Sequence, residues 1–284
     1  METLLTYASV SLCGPLFVKL GISGKDLHKR EKPVLPEAMG LVATIVLCLF
    51  IRNATVLLCT MVGLWIGALD DIIDLRWRYK LILSALAYVP LYQDLTTSVV
   101  LFGRLIYLGP LYHVYMLLWC VWCGNAINIH AGINGLEVGQ TVVIALGLLP
   151  IVDDTQTLLS YIYVALGLLV LNWYPSMVFV GDSWCYMSGM FFVSIAHHET
   201  ETLAFLMLPQ IVNTLLSLPE LFGECPRHRM PTYDAQNDVL LASGKGTLMN
   251  IVLKITGPMH EKKLLYVLLA IQAACGCIGY QFKS

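Results

Sequence analysis

The sequence predicts an all-α fold, a polytopic transmembrane bundle of about ten membrane helices with its active site on the cytosolic face. Three observations predict it. Of the 284 residues, 57% are hydrophobic and 13% charged, with a mean hydropathy of +0.72; soluble domains carry charge on about a quarter of their residues. Ten apolar runs approach the length that a bilayer requires, about 20 residues or somewhat fewer where the membrane is thin. And 14 of the 17 Lys and Arg fall in loops that alternation places on one side.

The runs are 2–21, 38–52, 54–70, 80–93, 111–129, 135–152, 157–179, 184–198, 202–219 and 263–281. The first has no basic leader, so it reads as a retained helix and not a cleavable signal. Lys19, Lys25, Lys29, Arg30 and Lys32 follow it; Arg76, Arg78 and Lys80 follow the third run; Arg227, Arg229, Lys245, Lys254, Lys262 and Lys263 follow the ninth. Only Arg52, Arg104 and Lys283 fall opposite, so the basic loops face the cytosol and both termini lie outside or in a lumen. Residues 1–284 read as one integral-membrane domain that includes a cytosolic loop at 220–248, with no internal repeat. A net charge of −2 without a basic patch gives no nucleic-acid surface. Of the nine Cys, Cys120 and Cys123 spell a CxxC inside an apolar run with no second ligand pair, which suits packing thiols better than zinc or redox chemistry. Asn53-Ala-Thr55 is spelled as a glycosylation sequon but sits too close to the membrane to be used.

The polar constellations gather on the cytosolic side. Asn125-Ala-Ile-Asn-Ile-His-Ala-Gly-Ile-Asn-Gly-Leu-Glu-Val-Gly139 lies between two apolar runs, where polar groups are costly and need a reason. Asn125 and Asn128 share a helical face, Gly132 and Gly135 interrupt the helix, and Asn134 offers an amide that donates and accepts. Helix packing by small and polar residues is the alternative. In Leu69-Asp-Asp-Ile-Ile-Asp74, a continuing helix brings Asp70, Asp71 and Asp74 to one face, suited to a divalent cation or to proton abstraction. Arg76, Arg78 and Lys80 follow and can neutralise phosphate oxygens, or simply obey the positive-inside bias. Asp182, after Gly181, could join Asn128 and substrate phosphates around Mg²⁺, with Phe179 stacking on a base. Cys225-Pro-Arg-His-Arg-Met-Pro231 presents Arg227, His228 and Arg229 between prolines, a cationic element suited to a diphosphate. Glu37 could accept hydrogen bonds from a sugar or nucleoside, or complement the dipole of the next helix.

Taken together, Leu69-Asp-Asp…Leu-Arg-Trp-Arg-Tyr-Lys80, Asn125 to Gln140, Phe179-Val-Gly-Asp182, Cys225 to Pro231 and Gly257-Pro-Met-His-Glu261 resemble the polyprenyl-phosphate N-acetylhexosamine-1-phosphate transferase family. The Pro-Arg-His-Arg element points to its eukaryotic branch. His28 stands where the family has Asn in an Asp-Leu-Asn-Lys motif, His130 stands where Leu is commoner, and the chain is short for that branch. The resemblance implies transfer of GlcNAc-1-phosphate from UDP-GlcNAc to dolichyl phosphate, giving GlcNAc-diphosphate-dolichol and UMP. It implies Mg²⁺, the cytosolic face of a multi-pass protein of the endoplasmic reticulum membrane, and inhibition by tunicamycin, and it leaves room for a homodimer. Carried over, Asn128 and Asp182 hold Mg²⁺, Lys80 and Arg229 the diphosphate, and Asn134, Gly132 and Phe179 the uridine. Arg227 and His228 lie nearby, Asn125 belongs to the substrate-binding set, Glu37 faces the nucleoside or sugar, and Asp70 or Asp71 takes the acceptor's proton or orients Lys80. A related sugar-1-phosphate transferase with another sugar or acceptor, an Asp-rich intramembrane prenyltransferase and a transporter are the rival readings.

Overall fold

A computed structural model of the chain describes residues 1–92, 96–101, 103–221 and 230–281. In chain order its elements are α1 (Glu2–Lys19), a hairpin of β1 (Ser23–Lys25) and β2 (Val34–Pro36), α2 (Met39–Cys48), α3 (Ala54–Ile73) and α4 (Trp77–Ser84). A single 3₁₀ turn (Ala85–Ala87) leads to α5 (Tyr88–Leu91), a hairpin of β3 (Ser98–Leu101) and β4 (Arg104–Tyr107), α6 (Leu111–Ile129) and α7 (Leu136–Leu148). Then come α8 (Thr155–Asn172), α9 (Gly181–Ile195), α10 (Thr200–Leu206), α11 (Leu208–Leu221), a hairpin of β5 (Thr232–Asp234) and β6 (Val239–Leu241), α12 (Leu248–Thr256) and α13 (Glu261–Gln281). The fold is mostly helical, in line with the all-α expectation, and the described residues add three small antiparallel hairpins that the sequence reading does not anticipate.

Each expected run meets a helix, but not always one helix. Among the described residues Ala54–Ile73, Thr155–Asn172 and Glu261–Tyr280 are long and apolar enough to cross a membrane, and α10 with α11 qualifies as a pair bent by 71°. The bend falls where Pro209 lacks an N–H and disfavours helix in the residue before it. Polar side chains serve the break: Gln272 donates to the Leu206 carbonyl, and Gln210 Nε2 donates to Gln140 at 2.6 Å and to Gln272 at 2.7 Å. Such re-satisfaction is what allows an interrupted helix in apolar surroundings. The run 80–93 is split among α4, the 3₁₀ turn and α5.

Local chemistry sets the helix ends. Asn53 Oδ1 accepts from Val56 N at 3.1 Å and Asp154 Oδ1 from Thr157 N at 3.1 Å, opening α3 and α8 as N-caps. The asparagine of the sequon is thus occupied as a cap. At the other end of α3 the helix does not continue through Asp74, which adopts φ 48°. Asp70 Oδ1 takes the Leu75 N–H at 2.8 Å and folds the chain back toward α4. The expectation that Asp74 shares a helical face with Asp70 and Asp71 therefore fails.

The main core is built by α2, α3 and α6 to α9 around Trp184, Tyr161, Phe191 and Phe192, all buried. A second cluster joins β6, α12 and α13 through Leu240, Leu253, Leu264 and Leu265. The α3–α9 contact is the most extensive between helices. A Cβ added to Gly63 would lie 2.7 Å from Met187 Cα, one on Gly67 2.5 Å from Ser183 N, and one on Gly40 of α2 2.5 Å from Trp184 N. Nothing larger than hydrogen fits, so α9 rests backbone to backbone on α3 and α2, the small-residue packing usual between membrane helices. This contact fixes where the first turn of α9 stands relative to the last turn of α3.

Candidate active site

A cavity of about 870 Å³ opens among the α3–α4 turn, α6, the α6–α7 loop, the residues before α9 and the β1–β2 loop. Lys80, Asn125, Asn128, Gly132, Asn134, Phe179, Asp182 and Glu37 all line it. Eight positions picked from sequence, spread over nearly 150 residues of chain, thus share one wall. Arg227, His228 and Arg229 lie outside the described residues; Met230, which follows them, lines the cavity.

The aspartates of α3 sit behind this wall, each with a separate task. Asp70 pairs with Lys80, whose Nζ lies 3.6 Å from Asp182 Oδ2. The ammonium is held between two carboxylates at the cavity edge. Asp71 accepts from the backbone N–H groups of Asp182 at 2.6 Å and Ser183 at 3.1 Å, so it caps α9. Gly181, at φ +73°, has no room for a side chain there: a Cβ would stand 2.6 Å from Asp71 Oδ2. With both oxygens spent on the start of α9, Asp71 is a support for Asp182 and not a free base. The geometry favours the orienting role for Asp70 as well, since its carboxylate holds Lys80 and the Leu75 N–H.

The asparagines divide in the same way. Asn125 donates to Ser84 Oγ at 3.2 Å and to the Val121 carbonyl at 2.8 Å, and accepts from Tyr186 OH at 2.8 Å. Three of the four hydrogen-bonding positions of its amide are thus engaged with the wall, and one lone pair on Oδ1 remains at the cavity. Asn134 donates to Asp26 Oδ2 at 3.2 Å and accepts from Ser176 N at 3.1 Å. One N–H and one lone pair of that amide remain beyond these two bonds. Gly132, at φ +126°, gives its N–H to Glu137 Oε1 at 2.9 Å, and a Cβ there would meet Met230 Cε at 3.0 Å. Phe179 is placed by strand-like bonds, its N–H to the Pro36 carbonyl at 2.8 Å and its carbonyl from Met39 N at 3.1 Å. Burial raises the Glu37 carboxyl above its ordinary range. His130 is buried and does not line the cavity; its carbonyl accepts from Gln140 Nε2 at 2.8 Å.

Sequence reasoning places Asp26, Glu137 and Glu261 inside motifs but gives none of them a role, and it misses Tyr186, which is hidden in an apolar run. Among the described residues no group of three His, Cys, Asp or Glu could hold a metal, and Cys120 and Cys123 are buried free thiols. One carboxylate, Asp182, and one amide oxygen, Asn128, suit an ion such as Mg²⁺, which takes one or two protein ligands and completes its shell with water and phosphate. The residues present fit that ion.

Because Asp71 acts on α9 and not on a ligand, Asp71→Asn should cost about 1–2 kcal/mol of stability by losing one of two N–H acceptors. Thermal unfolding in detergent checks this, and an unchanged midpoint would contradict the capping role.

The residues around the cavity fall inside and outside a matched family segment. The glycosyl transferase family 4 model matches residues 53–198, which hold Asp70, Lys80, Asn128 and Asp182. The UDP-N-acetylglucosamine–dolichyl-phosphate N-acetylglucosaminephosphotransferase of Dictyostelium discoideum is 34% identical, over 99% of this chain and 86% of its own. Proteins of the same name from Schizosaccharomyces pombe and Saccharomyces cerevisiae are 35% and 30% identical, over 89% and 94% of this chain and 72% and 85% of theirs. Likeness of that extent, with most of the cavity residues inside the matched segment, makes this chain a member of glycosyl transferase family 4.

Proposed function

We propose that the chain transfers GlcNAc-1-phosphate from UDP-GlcNAc to dolichyl phosphate, giving GlcNAc-diphosphate-dolichol and UMP. One observation carries the reading: Lys80 and Asp182 meet at the edge of a cavity whose lining holds the polar Glu37 and Asn134 together with the apolar Phe179, Trp77, Leu118, Val121, Trp122 and Leu218. A nucleotide-sugar and an isoprenoid phosphate need such a mixed lining. The names carried by the relatives, matched over nearly the whole chain, support the same substrates.

In this reading an oxygen of the lipid phosphate attacks the phosphorus that bears the sugar. The bond from that phosphorus to the bridging oxygen breaks, and UMP leaves with the electron pair. A phosphate monoester near neutral pH is already largely ionised, its second pKa being about 6, so the site needs orientation and charge neutralisation more than a base. Lys80, held by Asp70, supplies a fixed positive charge for the diphosphate. Asp182 and Asn128 would hold Mg²⁺, which when bound neutralises phosphate charge. Phe179, Gly132 and Asn134 would face the uridine, Glu37 the nucleoside or sugar, and Arg227, His228 and Arg229 the diphosphate. Asp70→Asn should therefore lower turnover yet leave UDP-GlcNAc binding within about threefold, because Asp70 acts on Lys80 and not on the nucleotide. Loss of binding in equilibrium measurements would sink that assignment.

The site would face the cytosol from the endoplasmic reticulum membrane with about ten crossings, supported by the one-sided basic residues. Tunicamycin sensitivity belongs to the same reading. An Asp-rich prenyltransferase fits less well, since Asp70 and Asp71 are engaged with Lys80 and the start of α9 and Asp74 leaves the helix. The test offers purified protein several UDP-sugars with dolichyl or undecaprenyl phosphate, with and without a chelator. UDP-GlcNAc with dolichyl phosphate should react best and only with Mg²⁺; undiminished turnover in the chelator, or preference for another pair, would overturn the reading.

A further inference from the structure

Beside the cavity Glu261, Lys29, Asp26 and Asn134 close a ring, the last through both its side chain and its backbone N–H, and only Asn134 has a part in the proposed reaction. Glu261, the first residue of α13 and 4% exposed, accepts the Asn134 N–H on Oε1 at 2.8 Å and pairs through Oε2 with Lys29. Lys29 Nζ also lies 3.3 Å from Asp26 Oδ2, and that same oxygen accepts from Asn134 Nδ2 at 3.2 Å, which returns to the start. His28 flanks it, its backbone N–H donating to Asp26 Oδ1 at 3.1 Å and its ring Nδ1 3.9 Å from Glu261 Oε1. Asp26, His28 and Asn134 line the cavity; Glu261 does not. Lys29 and Glu261 are 232 residues apart in sequence, and Asn134 and Glu261 127 apart. The ring thus ties the β1–β2 loop and the turn before α7 to the start of a membrane-length helix.

A buried ionic ring is a poor way to gain stability, because desolvation offsets most of its attraction; its better attested use is to fix one arrangement over others. Here the arrangement fixed is that of two loops on the nucleoside side. We infer that Glu261 is a positioning residue: through Lys29 and the Asn134 backbone it holds the β1–β2 loop against the Gly132–Asn134 turn, and so sets the shape of the nucleotide end of the cavity. The inference rests on the reading that this turn and Phe179 face the uridine. None of Lys80, Asp70, Asn128 or Asp182 belongs to the ring, so its effect falls on nucleotide affinity and not on the transfer step.

The experiment uses the full chain in detergent with E261Q, K29Q and the double variant. Glu261→Gln keeps an acceptor for the Asn134 N–H and removes the charge that holds Lys29. KM for UDP-GlcNAc should rise about tenfold with kcat within about twofold and KM for dolichyl phosphate unchanged. Affinity for UDP, measured by calorimetry without turnover, should fall by the same factor. The double variant should be no worse than the worse single one, since residues of one network are not additive. A loss confined to kcat, additive losses, or no change in UDP affinity would overturn the inference. Where E261Q does not accumulate as folded protein, K29Q carries the same test. A wild-type protein that binds UDP but makes no UMP from UDP-GlcNAc would refute the proposed reaction while leaving the binding arm of this test intact.

Discussion

Asp182→Ala should lower UMP release by about 10³-fold or more, with the protein still folded. The side chain lies at the cavity edge 3.6 Å from Lys80, and its backbone N–H, not its carboxylate, makes the bond to Asp71 that starts α9. Truncation therefore removes a charged oxygen from the place where the diphosphate would be neutralised and leaves the helix cap in place. Losing one preorganised electrostatic contact typically costs 10²–10³ in turnover, and losing a metal ligand adds to that. Unfolding midpoints measured beside the activity separate the two effects. A variant that keeps a tenth of wild-type turnover would remove Asp182 from the chemistry.

The second large effect is on structure. Gly67→Val should destabilise the protein by about 3 kcal/mol or more, the upper end for overpacking, because the obstacle is α9 backbone and not a flexible side chain. It should also take turnover with it, since separating α9 from α3 carries the Asp182 N–H away from Asp71. Gly14→Ala is the comparison. A Cβ there meets only the Pro36 ring, Cγ at 3.3 Å and Cβ at 3.8 Å, so its effect should be within about 1 kcal/mol. If both variants unfolded at the wild-type midpoint, the backbone-to-backbone contact would not be what positions α9.

The chain's helices and much of the cavity wall were legible because a membrane chain makes its polar residues conspicuous. Lys80, Asn128, Asp182 and Glu37 stand at the ends of apolar runs, and a polar group there asks for a reason, whereas Phe179 is legible only through the motif it opens. What could not be read was direction. Asn125 and Asn134 are as conspicuous as Asn128, yet Asn125 spends three of its four hydrogen-bonding positions on Ser84, Val121 and Tyr186, and Asn134 two on Asp26 and Ser176. Spacing along a helix says which residues share a face, not what stands opposite. Asp71 shows the same limit, since its partner lies 111 residues away. The hairpins escaped because strands of three or four residues give no alternation to detect. The expected helix through Asp74 failed on a side-chain bond, Asp70 to the Leu75 N–H, that propensity does not encode. Glu261 and Lys29 were visible as charges, but an ion pair across 232 residues leaves no local trace.

The reaction turns on which bond breaks, and labelling the sugar-bearing phosphate of UDP-GlcNAc reads that directly. With the label on the β-phosphorus and dolichyl phosphate as acceptor, the label should move wholly into the lipid product while the released nucleotide is unlabelled UMP. Release of labelled UDP, with unlabelled phosphate in the lipid, would mean that the sugar alone is transferred and would contradict the account.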